Sequence, residues 1–431
     1  MRLAPLLLLL VMACAAVYAV SGVTHLPNGM RVIVQPTTIS QVVSLEVLLN
    51  YSALDEPADS LGIRQVLATT MLQGSSDGAA VLHRLTMAGG KLEGHVQQDA
   101  IEFSVIVPAD GVGAGLSVLA DVICRPALND NGIRLAIAQS RARVGADLTN
   151  AVGIASWMSQ QLLFLDHPYA SRGAGFDSTL AALTPQLVRN AYHQHIVPGA
   201  VVLAVAGRCV DADTRVQVAA LFSDWHGAEP PISPAMEPPT LPESRLELRE
   251  APVNNACVLL AFPVCGVMHP DFLALRVTDA LLGGGAGSRL FRSVRDQQRL
   301  AYEVATSLPS QLAGSSFTLY ALTSSSALDQ TKTAMTDELV RLQTEPVSAA
   351  DLQRAKAYLK GRYLLGHQYS AQYAFDLAWY EMIDAGIAYD RALPGKIDAI
   401  TAADIQRVAR TYFTNYYCIV IIPSAVDVTG K

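Results

Sequence analysis

The chain has 431 residues, of which 16% are charged and 51% apolar, and a formal net charge of −7. That length allows two or more domains, and the apolar share describes packed cores, excluding a disordered or low-complexity chain. The acidic balance argues against the basic face that nucleic-acid binding requires, and fits a surface or chamber open to basic ligands.

At the N-terminus, Met1-Arg2 precedes a small and apolar run from Leu3 to Ala19, and polar character begins at Ser21 and Thr24. A lone positive charge, a Leu-rich core and the small-residue end Val17-Tyr18-Ala19 predict a secretory signal peptide over residues 1–19. Val11-Met12-Ala13-Cys14 also reads as a lipobox, which would lipidate Cys14 and make it the first mature residue. A short membrane anchor is the structural alternative. No later apolar run reaches the roughly 18 residues of a spanning helix. Beyond Cys14 the cysteines are Cys124, Cys209, Cys257, Cys265 and Cys418, without metal-type spacing. Most sit in apolar runs, which predicts buried, inert thiols with no required disulfide.

The mature chain opens with a strand-like run, VSLEVLLNYSALD, followed by a loop and the apolar helix GIRQVLATTMLQGS over residues 62–75. A long helical pair is predicted around Gly111 to Leu163. From Leu183 to Gly207, LTPQLVRNAYHQHIVPGAVVLAVAG reads as a Thr-capped amphipathic helix, a turn and a buried β-branched strand. His193 and His195 are the only close histidine pair, and at a helix end they predict packing, not metal binding. Residues 226–244 are proline-dense and aperiodic, a stiff linker that forbids helix continuation.

The second half repeats the first. NACVLLAFPVCGV is a strand-like run followed by an apolar helix that stops at Gly283, Gly284 and Gly285. A helical pair follows from Leu328 to Ile383, and ITAADIQRVARTYFTNYYCIVIIP closes the chain with a second Thr-capped helix and strand. The period, about 215–220 residues, is too long for a solenoid and indicates a duplicated domain. The expected fold class is α+β: two homologous α/β domains, each a mostly antiparallel sheet with helices packed on one face, over residues 20–225 and 245–431.

Several ordered motifs carry a resemblance. They are Leu26-Pro27-Asn28-Gly29-Met30, the 62–75 helix, Gly89-Gly90, His167-Pro168-Tyr169, the Leu183-Thr184 helix start, the proline linker and LLGGGAGSRLFRSVRDQQRLAY. Together they make the chain resemble the M16 (pitrilysin or insulinase-like) metallopeptidases, in particular the bacterial M16B group of paired two-domain subunits enclosing a chamber. In that family the first helix bears His-x-x-Glu-His, two zinc-binding imidazoles four apart and a base beside them. Here those positions are Gln65, Ala68 and Thr69, none able to replace an imidazole or a carboxylate base. The family's third ligand is a Glu roughly 75–80 residues on; the corresponding stretch offers only Asp147. His167 is expected at a turn. No metal or other cofactor is therefore expected in this chain.

The second half keeps what the first lacks. Arg295 and Tyr302 stand seven apart, and the resemblance implies that such a pair projects into the chamber and binds the substrate backbone. A guanidinium and a phenol can each donate to a peptide carbonyl or developing oxyanion. The bland alternative is a solvated helix face of Arg292, Arg295 and Arg299 opposite Phe291 and Val294, with Tyr302 as packing. Gly283, Gly284 and Gly285 would form a chamber loop, and Ser288 would cap the helix after it. The resemblance implies an exported, periplasmic or envelope-associated non-zinc subunit of a heterodimeric peptidase, inactive alone. Its partner would carry His-x-x-Glu-His, zinc and base, and an extended peptide would be the substrate. A structural scaffold or a non-cleaving peptide-binding protein are the competing readings.

Overall fold

The computed structural model describes residues 22–38, 40–73, 78–144, 148–165, 167–171, 173–233 and 236–424. The signal-peptide and lipobox readings at residues 1–19, the Gly74-Ser75 helix stop and Asp147 lie outside the described residues.

Each half contributes one mixed sheet. The first comprises β1 (Thr24–His25), β2 (Arg31–Pro36), β3 (Val42–Leu49), β4 (Lys91–Val96), β5 (Ile101–Pro108) and β6 (Val201–Gly207), in spatial order β1-β2-β6-β3-β5-β4. The second comprises β7 (Arg245–Ala251), β8 (Ala256–Val264), β9 (Glu303–Ser307), β10 (Ser315–Thr323) and β11 (Tyr417–Pro423), in order β7-β11-β8-β10-β9. Without β1 the two orders are the same. In each sheet a single pair is parallel, β2 with β6 and β7 with β11, and the remaining pairs are antiparallel. The duplication read from the sequence is thus a duplication of topology.

Strand alternation sends successive side chains to opposite faces, and both faces of each sheet are covered. In the first sheet Val32, Val34, Val43, Leu45, Val47 and Leu49 meet the half's own helices, among them Ile63–Leu72 and Val112–Cys124. The second half does the same with Val258, Leu260 and Phe262. The other faces are covered by exchange. Ile33, Leu48, Val202, Ala204 and Ala206 of the first sheet pack against Tyr373, Ala374, Leu377, Ala378 and Met382 of the Ser370–Met382 helix, which belongs to the second half. Reciprocally, Cys257, Leu259, Ala261, Ile419 and Ile421 receive Ala151, Ile154, Ala155, Leu163 and Phe164 of the first half's Ala151–Phe164 helix. Small residues at helical spacing let each visiting helix lie close on the pleated surface.

That exchange modifies the expected helical pairs. Each half has three successive helices in this region: Val112–Cys124, Asp130–Arg143 and Ala151–Phe164 in the first, Leu328–Thr344, Ala349–Gly366 and Ser370–Met382 in the second. The third of each set is the one that crosses. Thr184 and Thr401 cap the Pro185–His195 and Ala402–Tyr412 helices by accepting from Leu187 N (3.3 Å) and Asp404 N (3.2 Å). Residues 226–241 have neither helix nor strand among those described, yet the segment is tied down. Ser233 Oγ donates to Asp55 (3.1 Å), and Asn415 Nδ2 donates to the Leu241 and Pro242 carbonyls at 2.9 Å.

Candidate functional site

The helix that would bear a metal begins at Gly62, with φ +94°. A Cβ there would lie 2.9 Å from the Ala174 carbonyl oxygen and 2.8 Å from Leu180 Cδ2, so the start of the helix requires glycine. No side chain at Gly62 can cap, and Glu56 takes over from the preceding loop. Its Oε1 accepts from Gly62 N at 3.2 Å and Arg64 N at 3.0 Å. Glu56 and Arg64 form a fully buried ion pair, Nε to Oε2 3.5 Å. The Arg64 guanidinium also donates to the Tyr51 and Gln97 carbonyls at 3.0 and 2.7 Å. Burial pushes the Glu56 carboxyl up while Arg64 and the two backbone donors pull it down.

Along this helix, Gln65 and Thr69 are half-buried and share a face; Ala68 is buried. Gln65 Nε2 donates to Thr69 Oγ1 at 3.2 Å. The i and i+4 positions that a zinc helix uses for imidazoles are therefore joined by an amide–hydroxyl hydrogen bond. The Ala68 methyl belongs to the core. These residues do not fit a zinc ion: they offer no imidazole, thiolate or carboxylate, and the one donor–acceptor pair they contain satisfies itself.

Other histidines of the first half serve packing. His195 is buried at the end of its helix, its ring stacked on Tyr51 at 4.0 Å and 4°, and burial lowers its pKa. His193 is exposed, against the edge of Tyr192. His167 sits in the turn before the Pro168–Ser171 3₁₀ helix, where its Nδ1 accepts from Tyr169 N at 3.1 Å. Burial pushes the Cys124 and Cys257 thiols up to about 12, and all five described cysteines are unpaired.

In the second half, the Phe272–Gly283 helix ends where a Cβ on Gly283 would lie 2.0 Å from Thr306 Oγ1, and one on Gly284 2.3 Å from the Ala280 carbonyl. Gly285 has φ +79°. The glycines thus let the chain press against β9 and then reverse. Their loop, with Arg292, Arg354 and Tyr358, lines a cavity of about 260 Å³. Ser288 Oγ accepts from Phe291 N at 3.4 Å, but the turn it opens, Phe291–Gln297, is π-helical and not α-helical.

This wider winding separates the arginines. Arg292 is held by Asp351 at 2.8 Å, together with Arg289 and Arg354, while Arg295 is exposed with its guanidinium 4.8 Å over the Phe291 ring. Tyr302 leads into β9 with its backbone N–H fixed to the Leu322 carbonyl (2.8 Å) and its side chain 62% exposed. Among the described residues, neither the Arg295 nor the Tyr302 side chain has a hydrogen-bond or ion-pair partner. The Gln65 and Arg295 regions do not occupy equivalent places in the repeat. One lies on the helix following the first long strand, the other between the matching helix and its edge strand.

Asp99 and Tyr169 form a polar joint that the sequence alone did not reveal. Tyr169 Oη donates to Asp99 Oδ1; Leu312 N donates to Asp99 Oδ2 at 3.1 Å and Ala313 N to Tyr169 Oη at 3.2 Å. The joint connects the β4–β5 turn and the His-Pro-Tyr corner to the loop before β10.

Fold and site together define a duplicated two-sheet chain whose first-helix positions hold no metal ligand. A family model described as the Peptidase M16 inactive domain matches residues 182–359. A Bacillus subtilis protein named uncharacterized zinc protease YmxG is 22% identical over 404 residues, covering 92% of this chain and 96% of that protein. The probable mitochondrial-processing peptidase subunit beta of Arabidopsis thaliana is 23% identical over 418 residues, covering 90% and 76%. Among solved structures, a protease from Helicobacter pylori superposes with TM-score 0.86 at 18% identity, covering 94% of this chain and all of that one. A peptidase M16 inactive domain from Pseudomonas fluorescens superposes with TM-score 0.84 at 18% identity, covering 95% and 99%. These matches relate the chain to proteins named as zinc proteases, and its fold over both halves is that of the M16-like structures it superposes on.

Proposed function

We propose that this protein is the non-zinc subunit of a heterodimeric M16B zinc peptidase, exported to the bacterial periplasm or envelope. Its role is to close the chamber and hold an extended peptide, while a partner bearing His-x-x-Glu-His supplies zinc, attacking water and base. The observation that carries the reading is the contrast between its two halves. Gln65 and Thr69 bond to each other and offer no imidazole or carboxylate, whereas Arg295 and Tyr302 are exposed and their side chains have no hydrogen-bond or ion-pair partner among the described residues. Both can donate to a peptide carbonyl. The free outer edge of β4, paired on one side with β5, offers an extended peptide a ladder to join. The likeness to a protein named as a processing-peptidase subunit supports a role in an assembly.

The test is co-expression with an M16 chain that retains the zinc motif, then peptidase assay of each chain alone and of the pair. Activity is expected from the pair and not from this chain. Arg295→Ala combined with Tyr302→Phe is expected to lower the pair's kcat/KM by about 10²-fold or more. Full activity in that variant would remove the two residues from the site. A pair no more active than the partner alone would favour a scaffold.

A further inference from the structure

Three helices of the second half converge on a group of ligating side chains that do not line the glycine-loop cavity. His367 follows the Ala349–Gly366 helix, Asp376 lies on Ser370–Met382, and Asp390 lies on Ala388–Ala399. One ligand atom from each lies within 4.8 Å of the others. We propose that His367, Asp376 and Asp390 form a binding site for a divalent transition cation such as Zn²⁺ or Mn²⁺, clamping the crossing helix Ser370–Met382 to its two neighbours.

The arrangement of His367 is the first argument. Its Nδ1 lies 2.9 Å from the Tyr363 carbonyl, which can only accept, so Nδ1 carries a hydrogen. Nε2 is left for the cluster, facing Asp390 Oδ2 at 3.0 Å, an oxygen that also accepts from Tyr363 Oη at 3.3 Å; deprotonated, Nε2 would be the ligating nitrogen. A backbone carbonyl holding the far side of the ring is the usual outer support of a metal-bound imidazole. The rings of Tyr363 and Tyr373, centred 4.1 and 4.3 Å away, fix its plane.

Asp390 supplies the second argument. It is 2% exposed, and its Oδ1 has no hydrogen-bond partner. A buried carboxylate oxygen without a donor is costly, and a cation would satisfy it. Asp376 Oδ1 accepts a hydrogen bond from Gln372 Nε2 at 2.9 Å. One imidazole nitrogen and two carboxylate oxygens suit zinc or manganese, with water completing the shell.

Chelator-treated full-length protein titrated calorimetrically with zinc chloride, and separately with manganese chloride, tests the proposal. One equivalent of at least one metal is expected to bind and to raise the melting temperature. His367→Gln, Asp376→Asn and Asp390→Asn should each weaken binding at least about tenfold. Circular dichroism of the metal-free proteins shows which variants keep the fold; the partly exposed His367 and Asp376 provide the readout if the Asp390 variant does not. Binding of neither metal, or unchanged binding in the folded variants, overturns the proposal. The peptidase assay of the paired subunits reads a different region, so either idea can fail without the other.

Discussion

The phenol of Tyr169 donates to the buried carboxylate of Asp99, and the pair receives two backbone N–H groups, from Leu312 and Ala313, of the opposite half. Four polar groups are satisfied at one joint, so removing one leaves others unpaired inside the protein. Tyr169→Phe strips Ala313 N of its acceptor and Asp99 of a donor. The expected cost is about 2–3 kcal/mol, read as a lowered melting temperature and faster proteolysis around residue 312. An unchanged melt would show that the joint is dispensable.

Arg64 should be among the least replaceable residues of the first half. Arg64→Met leaves Glu56 buried without its counter-charge and two carbonyls without donors; breaking such a pair costs about 3–5 kcal/mol. Denaturant unfolding of Arg64→Met, Glu56→Gln and the double variant should show strong coupling, the double costing less than the sum. Additive losses would mean that the two side chains act independently.

Glu46 makes stability depend on pH in an unusual direction. It points from β3 toward the face covered by Ser370–Met382, is 1% exposed, and has Ser104 Oγ as a donor at 2.6 Å. Burial, aided by Glu102 and Glu93 and opposed by the Ser104 bond, pushes its carboxyl from 4.5 up to about 9. The folded state therefore holds this proton more tightly than the unfolded state. Its contribution is fully present below about 4.5 and is lost as pH rises toward about 9. Glu46→Gln, neutral at every pH, should flatten the fall in melting temperature between neutrality and pH 9. Parallel profiles for wild type and variant would place the titration elsewhere.

Gly283 and Gly285 should differ sharply despite standing two apart. A Cβ on Gly283 meets both Thr306 Oγ1 (2.0 Å) and Thr306 N (2.6 Å), and the backbone atom cannot swing aside. Gly285 has room, Tyr358 lying 3.6 Å away, but has φ +79°. Gly285→Ala should cost about 1–2 kcal/mol, and Gly283→Ala considerably more, with displacement of β9. Thermal melts in the reverse order would contradict the packing argument.

Local signals of the fold were legible. Thr184 and Thr401 read as helix caps and are caps, and the strand-like runs start within one residue of β3 and β8 but extend past their ends. The ligand-free motif positions could also be read directly, because i and i+4 share a helical face. What failed to show were relationships across long separations. The crossing of Ala151–Phe164 and Ser370–Met382 is invisible in their periodicity, which declares an apolar face but not whose sheet it meets. Nothing in the sequence around Asp99 signals that its partners lie at 169 and 312. The π-helical winding at Phe291–Gln297 likewise escaped a reading that assumes 3.6 residues per turn.

The exchanged helices give the chain a character that neither half has. Made by itself, one half would be a sheet with a bare oily face and a stray helix seeking a home, and its stable form would be a couple. The natural chain is that couple with a strap. The strap holds the mates at a high effective concentration, so their meeting no longer depends on how much protein the cell makes. Each mate is then free to drift toward its own task, since the architecture, not sameness, holds them together. An asymmetric molecule, with Gln65, Ala68 and Thr69 on one side and exposed Arg295 and Tyr302 on the other, is what such a marriage permits.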